Sequence, residues 1–266
     1  MKYVVAPLLL FLLLVYPATA QDDATRLREV FRSFGYDGTF ILSPLEGEAM
    51  VRVNPERCGQ AVIPASTFKI PNSCIALETG VINGIHDTLR WDGKRKSFRS
   101  WEEDMDMSMA FQRSCVWFYQ ELARRIGSRT MGQWLDRLDY GNRSIGGGID
   151  RFWLDGKMRI SPDQQIAFLR KLFTDALPFK PEVMRQVRDL MVLERGEHHI
   201  LYGKTGWGII DNVHYGWLVG AVDVKGGLWV YATLLVKHNA DASTFPQARY
   251  DVTRALLREA RLLPRE

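Results

Sequence analysis

The hydrophobic period changes twice along this chain, and that change constrains the fold more than any other feature. Near the start, Leu27, Val30, Phe31 and Phe34 recur at i, i+3, i+4 and i+7, which predicts an amphipathic helix ended by Gly35. "GTFILSP" and "EAMVRVN" then read as two strands joined by "LEGE", a hairpin. From about residue 64 to 195 the pattern is mostly helical: "STFKIPNSCIALETG", "SWEEDMDMSMAFQRS", "VWFYQELARRIG", "TMGQWLDRL", "SPDQQIAFLRKLF" and "PEVMRQVRDLMVL". Gly80, Gly127, Ser161-Pro162 and Pro181 punctuate these segments as helix ends require. Period two then returns in "HHILYGKTG", "YGWLVGAVDV" and "GLWVYATLLVK". The connections "WGIIDNVH" and "KGG" are short enough for an antiparallel meander. A last helix, roughly 244–261, carries Val252, Leu256, Leu257 and Ala260.

Strands at both ends with helices between them predict an α/β fold: an antiparallel sheet flanked by terminal helices, plus an inserted all-helical domain. The expected division is a discontinuous mixed domain (21–62 and 196–266) and a helical domain (63–195). Residues 1–20, "MKYVVAPLLLFLLLVYPATA", stand apart. One basic residue, a short apolar run and Ala18-Thr19-Ala20 form the pattern of a secretory signal peptide. At roughly 13 residues the apolar run is too short to span a bilayer comfortably. The expectation is therefore cleavage after Ala20, no stable membrane anchor, and a soluble exported protein.

The formal charge of +4 is scattered, with only short clusters such as "GKRKSFR" at 93–99. A modest positive balance suits small anionic ligands, whereas nucleic-acid binding gathers its charge on one face, so no nucleic-acid partner is expected. Cys58, Cys74 and Cys115 make no disulfide framework, and neither they nor the five histidines have metal-ligand spacing. Cys74 and Cys115 fall in apolar surroundings that predict small buried hydrophobes. "GGG" at 146–148 lacks a Walker pattern, and no metal or phosphate site is expected.

The chemistry centres on "PASTFKIPNS", residues 64–73. In a helix beginning near Ala65, Ser66 and Lys69 project from one face, because residues three apart are neighbours there. Taken alone, a Ser-x-x-K arises roughly once per chain of this length by chance. Three further elements follow in order: "SCV" (Ser114 to Val116), "YGN" (Tyr140, Gly141, Asn142) and "KTG" (Lys204, Thr205, Gly206). Ser66 opens a predicted helix, where free backbone N–H groups can support a nucleophile and its oxyanion. "KTG" ends a predicted strand, where the small Gly206 is expected to let a substrate approach the backbone.

With "FWL" at 152–154, this set resembles the class D (oxacillinase-type) serine β-lactamases, and more distantly the penicillin-binding proteins and β-lactam sensor domains. The resemblance runs over essentially the whole mature chain. It implies the serine β-lactamase and penicillin-binding-protein-like fold, and residue roles that are chemically sensible. Ser66 would attack the lactam carbonyl to form an acyl-enzyme, and its hydroxyl needs a base within reach. Lys69, buried against Phe68, Val116, Trp153 and Leu154, would lose its proton readily and capture CO2. The resulting carbamate is implied as base for acylation and deacylation, held by the Trp153 indole N–H. No organic or metal cofactor is implied beyond CO2 or bicarbonate. The E-x-x-L-N run with which class A relatives deacylate is absent from the chain.

Ser114 would relay a proton between the lactam nitrogen and Lys204. Lys204, Thr205 and Arg249 would bind the substrate carboxylate, and the backbone N–H groups of Ser66 and Trp207 would form the oxyanion hole. Tyr140 and Asn142 read as structural supports of the pocket edge. Pro71 is tolerable only if its helix starts as a tight turn. Trp117 is expected to crowd the pocket mouth, and Leu218 and Ala221 stand where relatives often carry tryptophan. The implied activity is β-lactam hydrolysis in the periplasm, conferring resistance. A β-lactam sensor or penicillin-binding domain that acylates without turnover, and a cell-wall carboxypeptidase, stay open as alternatives. So does the choice between monomer and homodimer.

Overall fold

The computed structural model describes residues 20–47, 50–238 and 244–264. The leader-like segment, but for Ala20, lies outside these residues, as do Glu48 and Ala49 of the expected second strand. The chain opens with α1 (Ala20–Ser33), β1 (Asp37–Pro44), β2 (Val51–Val53) and the short α2 (Pro55–Cys58). A 3₁₀ turn (Ala65–Phe68) leads into α3 (Lys69–Glu78), β3 (Thr88–Leu89), β4 (Met105–Asp106) and α4 (Met107–Gln112). Then follow α5 (Val116–Ile126), α6 (Ser128–Leu138), α7 (Pro162–Phe173) and α8 (Pro181–Leu190). The tail is β5 (Val192–Arg195), β6 (His199–Ile210), β7 (Val213–Val224), β8 (Gly227–His238) and α9 (Phe245–Glu259).

Among the described residues the main sheet has the order β2-β1-β8-β7-β6-β5, and every neighbouring pair is antiparallel. The terminal segments pair with each other: β1 lies beside β8, with Asp37 opposite Val236 and Pro44 opposite Trp229. Alternation then divides the strands between two cores. Phe40, Leu42, Leu218, Tyr231 and Leu235 pack with Leu27 and Phe31 of α1 and with Val252 and Leu256 of α9. Ile41, Trp217, Val219, Val230 and Ala232 face the other way and join the helical core of Phe68, Tyr119, Leu169 and Val187. A sheet covered on both faces explains why β7 reads as an unbroken apolar run although it is antiparallel.

Several boundaries differ from the sequence expectation. "SWEEDMDMSMAFQRS" is not one helix. It holds a 3₁₀ turn (Arg99–Trp101), strand β4 and the short α4, because Asp106 caps α4 by accepting from the Met109 N–H at 2.7 Å. β5 falls inside the stretch expected to be helical to 195. It pairs with β6, so the helices end at Leu190 and the sheet begins before residue 196. "WGIIDNVH" is strand for most of its length. Only Asp211 and Asn212 turn, at φ 50° and 60°, the left-handed pair that a two-residue hairpin needs. The three cysteines are free and buried, and Cys115 is the residue that immediately precedes α5.

Candidate active site

Ser66 and Lys69 meet because the chain before α3 is a 3₁₀ turn. With three residues per turn, side chains at i and i+3 eclipse, and Lys69 Nζ donates to Ser66 Oγ at 2.8 Å. The tight start also places Pro71 in the first turn of α3, where its missing N–H does little harm. Ala65, immediately before Ser66, takes φ 48°, a left-handed conformation costly to a residue with a Cβ. Thr67 anchors the turn: its hydroxyl donates to the Pro64 carbonyl at 2.8 Å and accepts from Gln165 of α7 at 2.9 Å.

Lys69 is completely buried, and burial brings its amine down to about 7. Its surroundings explain this. Nζ lies 5.2 Å from the centre of the Tyr119 ring, whose hydroxyl is committed to Ser73 Oγ at 2.8 Å. Phe68 stacks on Trp153 with ring centres 5.3 Å apart. Among the described residues, the fully buried Trp153 indole N–H has no hydrogen-bond partner, an arrangement that normally costs about 1–3 kcal/mol. Val116 and Leu154, expected around Lys69, are half-buried and line the cleft beside Ser66.

Ser114 arrives from a different construction. Helix α4 ends in a Schellman motif: the Ser114 N–H bonds the Phe111 carbonyl at 3.1 Å, and the Cys115 N–H bonds that of Ala110 at 2.8 Å. Glycine is usual at the left-handed position of this motif, and here Ser114 occupies it at φ 53°. Its Oγ accepts from Lys204 Nζ of β6 at 3.1 Å. Lys204 is buried too. Burial, with the Lys69 and Arg249 cations nearby, holds its amine well below the usual lysine range. Arg249, on α9, donates from Nη1 to the Gly206 carbonyl at 2.9 Å, and burial lowers its guanidinium as well.

These groups open on one cleft of about 300 Å³, bordered by Ser66, Ser114, Thr205, Trp207 and Arg249. No carboxylate borders it among the described residues, so an anion entering meets only cations and neutral donors. Gly206 has a different role from the one expected. A Cβ there would come 2.7 Å from the Pro64 carbonyl, so its smallness admits the Ser66 turn against β6 rather than a substrate. The Tyr140–Asn142 turn stands off the chemistry. Tyr140 is buried against Phe68 and Phe168, Gly141 takes φ 56°, and Asn142 bonds the Lys157 carbonyl (2.8 Å) and the Arg159 N–H (3.0 Å).

Trp117 does not crowd the mouth. Its indole donates to the Trp101 carbonyl at 2.8 Å, and Phe98 and Trp101 line the cleft instead. Leu218 and Ala221 are fully buried. Sequence reasoning missed Tyr119, although it falls three residues after Val116 on one helix and so shares its face. It also missed Gln165, Phe98 and Trp101, for which no local signal exists: Gln165 bonds across 98 residues, Trp101 lay within a supposed helix, and Phe98 lay in the basic stretch before it.

The chain matches the family described as "Penicillin binding protein transpeptidase domain" over residues 24–256. It is 43% identical over 197 residues to "Probable beta-lactamase YbxI" of Bacillus subtilis (strain 168), covering 74% of this chain and 73% of that protein. It is 38% identical over 211 residues to "Beta-lactamase OXA-48" of Klebsiella pneumoniae, covering 79% and 78%. Among solved structures, the class D β-lactamase YbXI from Nostoc superposes with a TM-score of 0.85 at 39% identity, over 89% of this chain and 99% of that one.

Proposed function

The chain belongs to the penicillin binding protein transpeptidase domain family and, within it, to the class D β-lactamases, and on that premise we propose that it hydrolyses β-lactams through an acyl-enzyme on Ser66. The observation that carries the reading is the 2.8 Å contact between Ser66 Oγ and a buried lysine whose amine sits at about 7. An amine at that value is about half neutral at neutral pH and mostly neutral above it, so it can take the serine proton as Oγ adds to the lactam carbonyl. Ser114, bonded to Lys204, stands where it can pass a proton to the departing lactam nitrogen. Lys204, Thr205 and Arg249 supply the donors for the carboxylate that such substrates carry. The backbone N–H groups of Ser66 and Trp207 are assigned to the oxyanion.

A carboxyl group on Lys69 fits the residues present. The orphaned Trp153 N–H is a donor awaiting an acceptor, and the neutral amine is the form that captures CO2. Such a group would supply the base that acylation and deacylation share. The leader-like residues 1–20 support export, and no described helix is long and apolar enough to cross a membrane. Periplasmic location and antibiotic resistance complete the reading.

The test is steady-state hydrolysis of a chromogenic cephalosporin by the purified protein, with and without bicarbonate, beside Lys69→Ala. Sustained turnover that bicarbonate enhances and Lys69→Ala abolishes is expected. One stoichiometric burst on Ser66 that then stalls would instead mark a sensor or penicillin-binding protein.

A further inference from the structure

We propose that His214 is a positioning residue: its Nδ1 holds the Trp207 indole in place as one wall of the cleft, and so sets which substrate substituents the cleft accepts. The proposal rests on the β-lactam reading for what enters the cleft. Trp207 Nε1 donates to His214 Nδ1 at 3.2 Å, and the two rings lie 5.9 Å apart. In the β6–β7 register His214 is opposite Ile209, two residues from Trp207, so both rings project from the same face near the hairpin end.

Phe245, the first residue of α9, closes the set with its ring 5.8 Å from each. Gly216 makes this possible. It faces Trp207 across the register, and a Cβ there would come 2.6 Å from the Phe245 ring and 3.2 Å from Arg249 Cδ. Trp207 remains 38% exposed, its free edge bordering the cleft. Without the bond to His214 the indole would be held by packing on one side alone.

The contact requires a particular state of the imidazole. Nδ1 accepts only when it carries a lone pair, so the ring must be neutral with its proton on Nε2. Protonation would set N–H against N–H and release the indole. Among the described residues, the charged groups around it are Lys237, directly across on β8, Arg249 on α9 beside Gly216, and Asp211 at the hairpin turn. β6 presents the uncharged Trp207 and Ile209; Tyr36 packs on Phe245 and lies under the Lys237 ammonium, 5.2 Å from its ring centre.

The experiment uses the full chain, His214→Phe (a ring without an acceptor) and His214→Gln (an acceptor without the ring). For a penicillin with a bulky aryl side chain, His214→Phe is expected to raise KM about fivefold, the worth of one hydrogen bond, while kcat moves less than about twofold. His214→Gln restores most of the loss. In the wild type, KM rises once acidification protonates His214 and removes its acceptor, and this dependence disappears in His214→Phe. A second readout needs no turnover: tryptophan fluorescence against pH, with Trp207→Phe subtracted, shows the same transition in the wild type and none in His214→Phe. Unchanged KM and pH profile in His214→Phe would overturn the proposal. Equal impairment of both variants with a lowered melting temperature would do the same, since that marks packing alone. A fluorescence transition without turnover in the wild type would sink the hydrolase reading and support the positioning role. Turnover without the transition would do the reverse.

Discussion

Two serines border the cleft, each bonded to a buried lysine, and the two pairs are built in opposite ways. Ser66 and Lys69 are three residues apart on one tight turn, joined at 2.8 Å. Ser114 and Lys204 are 90 residues apart, one at the end of a helix and the other in mid-strand, joined at 3.1 Å. Both lysines are stripped of water, so both are pushed toward the neutral form. The local pair lies against aromatic rings, and the Trp153 donor buried there is unspent. The distant pair also has a ring against its amine, Phe111 at 5.5 Å, but adds the Thr205 hydroxyl and the Arg249 cation. On the reading proposed above, the same two residue types would offer a base from the first pair and an anion-binding relay from the second. Environment, not identity, separates the roles.

The largest test of that contrast is to remove each lysine in turn. Lys69→Ala is expected to cut kcat/KM on the order of 10³-fold or more, with the acyl-enzyme accumulating and visible by intact mass. Lys204→Ala is expected to cost on the order of 10²-fold, with a larger share in KM because the carboxylate loses a hydrogen-bond donor. Equal losses in equal parameters would erase the distinction.

Stability provides a second test. Burying Lys69 costs folding free energy wherever an unfolded lysine would be charged. In CO2-depleted buffer at neutral pH, Lys69→Met is therefore expected to stabilise the inactive protein by on the order of 2–4 kcal/mol. The folded-state value, about 7, is below the unfolded one, so the unfolded chain binds more protons between them and wild-type stability rises with pH across that window. The advantage of Lys69→Met should be full below about pH 7 and shrink toward pH 10; denaturant melts of both proteins along that range measure it. A constant difference would mean that desolvation of the amine is not the cause.

The smallest effect sharpens the second pair. Ser114 occupies a left-handed position, so Ser114→Gly and Ser114→Ala remove the same hydroxyl but differ in strain. Both are expected to lose turnover alike, while Ser114→Ala melts with about 1 kcal/mol less stability than Ser114→Gly. Thermal unfolding of the two side by side reads this directly.

How much of this was legible in advance follows from distance along the chain. The terminal helices, the meander and Ser66 with Lys69 were readable because periods of two, three and 3.6 are local properties. Near its limits the same reasoning failed. Asp106 stopped a supposed helix by capping the next, and β5 looked like the end of α8 because four residues carry too little pattern to show a period. Gly206 was read as space for a ligand, whereas the backbone of Pro64 fills that space.

By itself, the sequence determined which elements form, the order of the motifs and the local geometry that brings a hydroxyl to a lysine. Tertiary structure alone decided the rest. Packing the Ser66 turn against Gly206 brings Ser66, Ser114, Thr205 and Arg249 to one cleft, with Lys204 buried behind Ser114. Trp117 is turned away while Phe98 and Trp101 line that cleft, and Trp207 is set between Phe245 and His214. The physical reason is desolvation. Whether a lysine is a charged surface group or a base depends on what is folded over it, and no window of residues around Lys69 contains Tyr119 and Trp153.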